Sequence, residues 1–278
     1  MPYLTPMSDT TKASPESLPK NFTSRDALIE HLRALSPHLA DEPVGETLQG
    51  GRAAAQDRLA AVDAIAYGRS RNFLDGAVTR LSPYIRHGIV TLNEVRNLAL
   101  EQGAPKQVEK FVQELAWRDF WQRIYAQTPD ALWQDIEAYK TGWQADDYAD
   151  ALPDDIAAAQ TPSAAMNHFI TQLRETGYLH NHARMYLAAY IVHWRRVKWQ
   201  AGARFFLHYL LDGDPASNNL SFQWVASTFA NKPYYFNLEN LQKFAAPDTP
   251  VAAADNQDFD ASYDALYLRL FPHAPEAD

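Results

Sequence analysis

From Arg52 to about residue 245 the apolar residues of this chain recur at helical spacing. Leu59, Val62 and Ala66 follow the pattern, as do Val108, Phe111, Val112 and Leu115. "AMNHFITQL" and "ARMYLAAYIVHWRRVKW" continue it, and the second is apolar on nearly every side, as a helix at the centre of a domain would be. No stretch alternates like a half-buried strand between turns, and neither a βαβ rhythm nor a Gly-rich phosphate loop occurs. The expectation is an all-α domain over residues 48–245. Residues 1–47 read as an N-terminal extension, partly disordered through "MPYLTPMSDTTKASPESLPK", with a short helix over 24–40 capped by Ser24. Residues 246–278 read as an acidic C-terminal extension lying on the surface.

With 46% hydrophobic residues, the chain has ample material for a core. Seven tryptophans and fourteen tyrosines favour large aromatic packing or stacking surfaces. The absence of cysteine excludes disulfides, thiolate metal sites and a Cys nucleophile. Neither a long apolar span nor an N-terminal leader pattern occurs, so the default is a cytoplasmic protein with no membrane partner. The net charge of −9 argues against nucleic acid. The charge is unevenly spread, however. Residues 130–155 are strongly acidic, whereas 171–204 hold Arg174, Arg184, Arg195, Arg196, Lys198 and Arg204 against Glu175 alone, so a basic face stays open.

Several segments could carry chemistry. In "VQELAWRDFWQR", Glu114, Trp117, Arg118 and Trp121 share one helix face. Such a face is either an amphipathic helix with an Arg–Glu pair, or a recognition face in which Trp stacks a ring, Glu accepts from its edge and Arg holds a phosphate. In "TGYLHNHARM", Arg184 would be a buried charge in need of a carboxylate, with Asp212 or Asp214 as candidates. His180 and His182 stand two apart and point to different faces, which argues against a metal site. "GAVTRLSPYIRHG" offers Thr79, Arg80 and Ser82 at a helix start, where an anion is favoured. "LLDGDPASNNLSFQW" crowds Asp212, Asp214, Asn218 and Asn219 against apolar surface.

Taken in order, "GGRAAAQDRL", "YGRSRNFLDGAVTRLSPYIRHG", "ELAWRDFW", "TGYLHNHARM", "WQAGARFF", "LLDGDPASNNLSFQW" and "PYYFNLENLQKF" resemble the FAD-binding helical domain of the DNA photolyase/cryptochrome family. The resemblance implies FAD as cofactor. It places Tyr67, Thr79, Arg80, Leu81 and Ser82 on the phosphate side, with Val78 and Thr79 standing where the family has Thr and Ser. Phe111, Glu114, Arg118, Asn181, Arg184, Asp212, Asp214 and Asn218 are further cofactor positions, with Arg184 paired to Asp212 and Asn218 facing flavin N5. An amide there matches photolyases, and the resemblance implies Glu114, Asn181 and Asn218 as catalytic residues. Glu114, Trp117, Arg118, Asn181, Met185 and Trp224 match substrate positions, and Asn181 and Met185, where (6-4) photolyases carry histidines, point to cyclobutane pyrimidine dimers.

Three departures qualify this picture. Some 48 residues precede the helical domain, too few for the family's α/β antenna domain. The "TGYP" and "DAxMRxL" signature is degraded to "QTPSAAMNHFITQL". Phe222 stands where the inner tryptophan of the photoreduction chain is expected, between Trp199 and Trp224 as the electron-transfer residues. The expected activity is light-driven repair of UV-damaged DNA, single-stranded or in distorted duplex, with RNA as a further partner. The alternative is a cryptochrome-like photoreceptor or regulatory flavoprotein that engages a protein partner or forms a homo-oligomer. Phe222 and the acidic surface favour it, whereas Glu114, Trp117, Arg118 and Asn218 oppose it.

Overall fold

The computed structural model describes residues 19–36 and 48–274. The chain divides into two units, Met1–Pro43 and Val44–Asp278. In the first unit, α1 (Arg25–Leu35) starts on Ser24, whose hydroxyl accepts from the Ala27 amide at 3.1 Å. Residues 37–40 of the expected helix, and the segment read as disordered before residue 19, lie outside the described residues.

The second unit is built from α2 (Arg52–Ala60), α3 (Ala64–Ser70), α4 (Ser82–Arg86), α5 (Leu92–Gln102), α6 (Pro105–Gln127), α7 (Asp154–Ala157), α8 (Ala164–Thr176), α9 (Asn181–Ala189), α10 (Trp199–Tyr209), α11 (Pro215–Ala226), α12 (Leu238–Phe244) and α13 (Tyr263–Leu270). Among the described residues there is no strand, only an isolated bridge between Ala149 and Val197. The helices start where local chemistry favours it. Thr91 and Glu94 form a capping box on α5, Pro105 and Pro215 occupy first-turn positions of α6 and α11, and Asp214 caps α11 by accepting from the Ser217 amide at 2.8 Å.

Three apolar clusters hold this unit together. One unites α2 to α6 through Val62, Leu81, Tyr84, Val95, Val108 and Phe111. The largest gathers α8 to α12 around Phe169, Tyr186, Tyr190, Trp199, Phe206 and Phe222. The third joins Trp121 on α6 to Leu132 and Leu220. At 23 residues, α6 is long enough to reach from the first cluster to the third. The apolar "YIVHW" run that follows α9 is indeed buried, with Tyr190–Trp194 continuing as a wider π-helical turn.

Two expectations are revised. Residues 246–274 do not lie on the surface as an appendage. Phe259 is 0% exposed and belongs to the largest cluster, and Leu266, Leu270 and Phe271 form a further cluster with Tyr235 and Trp194 against them. Their apolar spacing outweighs the acidic residues between them. The basic stretch 171–204 is not a free cationic face either. Arg195 pairs with Asp155 at 2.9 Å and Lys198 with Asp150 at 2.6 Å, while Arg196 and Arg204 lie over Trp143 and Trp133. The acidic segment 130–155 thus pairs with two of its six cations.

Candidate cofactor and substrate cavity

A cavity of about 750 Å³ is lined by residues of all three clusters: Leu81, Val95 and Phe111 from the first, Phe206, Phe222 and Val225 from the largest, Trp121 from the third. This volume suits a large ligand, and an apolar lining with a few convergent polar groups is how such ligands are held.

The polar groups enter from several helices and the loops between them. Tyr67 on α3 meets Phe111 edge-on at 5.0 Å, and burial, with Glu114 nearby, pushes its phenol pKa well up. The loop before α4 contributes Thr79, Arg80, Leu81 and Ser82. Thr79 Oγ1 accepts from the Leu81 amide at 3.2 Å, closing a tight turn that holds Arg80 in the left-handed region at φ 52°. Arg80 then lies over the Tyr178 ring at 5.2 Å, and Arg184 lies over the same ring at 5.7 Å. Tyr178 is thus a wall residue flanked by two cations.

Arg184, on α9 and half-buried, binds the buried Asp212 at 2.8 Å, so each charge has its opposite. Burial alone would raise the Asp212 carboxyl, but the Arg184 charge and hydrogen bond, with Ser82 beside it, outweigh that and hold it below the ordinary carboxylate value. The second oxygen, Asp212 Oδ1, is buried without a hydrogen-bond partner, and so is Ser217 Oγ. Both residues line the cavity. Two buried polar atoms left unpaired at the wall are what a polar ligand would satisfy. Asp214 is more occupied: besides capping α11 it accepts from Gln122 Nε2 at 2.8 Å and faces Arg118 at 3.6 Å.

Asn218 donates through Nδ2 to the Ala203 carbonyl at 3.1 Å and to Asn219 Oδ1 at 2.9 Å. Both its N–H groups are therefore engaged, and the amide oxygen is what it can offer the cavity: an acceptor for a ring N–H. Its neighbour Asn219 is structural, donating to the Leu132 carbonyl at 2.7 Å and lying fully buried.

Toward the mouth, α6 presents Glu114, Trp117 and Arg118 as its periodicity predicts. Glu114 is flanked by Lys110 at 2.8 Å and Arg71 at 3.5 Å. Trp117 is 47% exposed and stacks on Trp121 at 5.4 Å. Asn181 and Met185 line the same cavity, 3.9 Å apart through Nδ2 and Sδ. Trp224 closes another side with its ring 5.6 Å from Tyr234. The two residues expected to carry electrons are not brought to the cavity together. Trp199 is fully buried, donates to Asp135 Oδ1 at 2.6 Å and does not line it, whereas Trp224 does. Phe222 lines the wall instead and meets Phe206 edge-on at 4.9 Å.

Sequence reasoning missed Tyr178 and Tyr234, which line the cavity, and Gln122, whose partner Asp214 is 92 residues away, and considered His182 only as a metal ligand. His182 lines the cavity, with Nδ1 against the Asn72 carbonyl at 2.6 Å, while His180 caps α9 by accepting from the His182 amide. Among the described residues no group of three potential metal-binding side chains assembles, and no helix is long and apolar enough to cross a membrane.

A helical cavity with cationic, hydroxyl and amide groups on one side and stacking aromatics at its mouth defines a site for a large aromatic nucleotide cofactor. Comparison with known proteins gives the family. Residues 111–275 match the FAD binding domain of DNA photolyase, and the chain belongs to that family. It is 40% identical over 153 residues to the deoxyribodipyrimidine photo-lyase of Streptomyces griseus, covering 55% of this chain and 32% of that protein. Against the enzyme of the same name from Alkalihalophilus pseudofirmus it is 30% identical over 204 residues, 71% of this chain and 40% of that one. Among solved structures, an archaeal photolyase from Sulfolobus tokodaii, solved with two FAD molecules, shares the fold at a TM-score of 0.64 and 23% identity, over 82% of this chain and 57% of that one. A Synechocystis cryptochrome shares it at 0.63 and 20%, over 76% and 47%. The chain spans about a third to a half of the length of the curated relatives it matches.

Proposed function

We propose that this protein repairs cyclobutane pyrimidine dimers in light, using FAD held in the cavity. The observation that supports this best is that one cavity is lined by residues for both halves of the chemistry. Arg184, Asp212, Asn218 and the Thr79–Ser82 turn line it together with Glu114, Trp117, Asn181 and Met185. Reduced FAD, when bound, supplies the electron that light drives into the dimer and that returns after its ring bonds break.

The residues of this chain bind and orient. The Thr79–Ser82 turn, with Arg80, would hold the phosphates, Asp212 Oδ1 would accept from the cofactor's polar edge, Ser217 Oγ would donate to it or accept from it, and Asn218 would offer its amide oxygen to a ring N–H. Trp117 and Trp224 would press the flipped-out dimer from its apolar faces, and Glu114 would accept from its edge while Lys110 and Arg71 hold the carboxylate in place. Arg118 is fixed by Asp214 beside the same opening. Flipping costs a few kcal/mol, least where the strand is unpaired or distorted. The net charge of −9 and the pairing of Arg195 and Lys198 with Asp155 and Asp150 weaken attraction to intact duplex, which supports a preference for single-stranded or locally melted sites.

The test is direct. Purified protein carrying reduced FAD is illuminated with dimer-containing oligonucleotides, and restored thymines are counted. Repair that disappears in Glu114→Ala and Trp117→Ala supports the reading, and intact dimers after illumination of the unaltered protein refute it.

A further inference from the structure

Beyond Trp117, the outer surface of α6 carries a second flat ring with no place in the cavity. Phe120 follows one turn later on the same helix, is 39% exposed, and sits 5.5 Å from Trp117 and 5.1 Å from Trp121. It does not line the cavity, whereas both tryptophans do. The Trp121 ring is almost wholly covered and backed by Phe229 at 5.8 Å. Trp117 and Phe120 thus stand on a rigid aromatic base and project outward beside the opening. Two large exposed apolar rings on one helix need a reason that packing does not supply.

The charges along this helix say what kind of partner suits them. Lys110 pairs with Glu114, Arg123 with Asp119 at 2.7 Å, and Arg118 with Asp214. The two cations nearest Phe120, Arg118 and Arg123, each face a carboxylate, so flat apolar rings are what this stretch of the helix chiefly offers. A duplex hides its base faces by stacking, while an unpaired strand exposes them, and aromatic side chains take such bases irrespective of sequence.

Resting on the repair reading above, we propose that Phe120 is a stacking platform for the unpaired base next to the flipped dimer. The ligand it selects is a single strand with at least one nucleotide flanking the lesion. Trp117 meets the lesion at the mouth, and Phe120, continuous with it on α6, takes the neighbour. Affinity for lesions in single strands is then gained from stacking and depends only weakly on salt.

The test uses FAD-loaded full-length protein in the dark and three probes: a dimer dinucleotide, a five-nucleotide single strand with at least one nucleotide on each side of the dimer, and a fully paired duplex carrying the same lesion. The unaltered protein should bind the five-nucleotide strand more tightly than the dinucleotide. Phe120→Ala and Phe120→Leu should weaken that strand by at least about fivefold, the lower end of one stacked base, and leave the dinucleotide unchanged. Leu preserves much of the contact with Trp121 without offering a flat face, and unchanged flavin content shows that either variant is folded. Phe120→Trp should restore or exceed the original affinity. Unchanged binding of the five-nucleotide strand in both variants overturns the inference while the repair reading stands. An equal loss on the paired duplex also overturns it, because a paired base offers no free face. If the unaltered protein binds neither the dinucleotide nor the strand, the repair reading falls and this inference with it.

Discussion

Asp212 and Arg184 show how much one residue pair decides. The carboxylate is 5% exposed and accepts from Arg184 at 2.8 Å, so removing its charge strands a guanidinium in the cavity wall. Asp212→Asn should cost about 3 kcal/mol of stability in denaturant unfolding at neutral pH and sharply reduce retained flavin. Because the folded-state value lies below the unfolded one, the pair's contribution is complete above about pH 4 and is lost as pH falls through the folded value. The variant should therefore unfold with a weaker dependence on pH in that acidic range. His193 titrates in a different window. Burial pushes its imidazole down to about 4, and it is held neutral with Nε2 against the Val225 carbonyl at 3.0 Å. The unfolded chain takes up the proton first, so stability falls as pH drops from about 6.5 to 4. His193→Gln, which can still donate to that carbonyl, should flatten this part of the stability profile.

At the scale of elements, α10 and α11 meet closely because Gly202 has no side chain. A Cβ there would sit 2.7 Å from a Phe222 ring carbon and 3.2 Å from Ile191. In an exposed helix, Gly→Ala gains up to about 1 kcal/mol. Here overpacking of about 1–3 kcal/mol should win, so Gly202→Ala should lower the unfolding midpoint and displace Phe222 from the cavity wall. A rise in stability would show that the two helices can slide apart. The face of α6 was legible from spacing alone, because i, i+3, i+4 and i+7 fall together on any helix. That Arg184 needs a carboxylate was legible too, since a charge on an otherwise apolar helix needs an opposite one, while the choice of Asp212 over Asp214 came from the family resemblance. Asp214 was harder to read. Its partner Gln122 is 92 residues away, and nothing local in "DGDPASNN" announces that this carboxylate is committed to a neighbouring helix.

For the whole molecule, the burial of the acidic tail and the pairing of segments 130–155 and 171–204 both depend on tertiary placement. Composition pointed to a surface extension and left a basic face open, whereas contacts between distant segments put Phe259 into the core and matched Arg195 and Lys198 with Asp155 and Asp150. The outcome is a cavity with exposed Trp117 among its lining, in a chain that keeps a net charge of −9. Whether that cavity performs light-driven repair is decided by counting repaired dimers per photon absorbed in reduced protein, on a single strand and on the matching duplex. Repair of both, faster on the single strand at physiological salt and abolished by Trp117→Ala, is the predicted result. Loaded, light-absorbing protein that leaves every dimer intact in either strand form would contradict it.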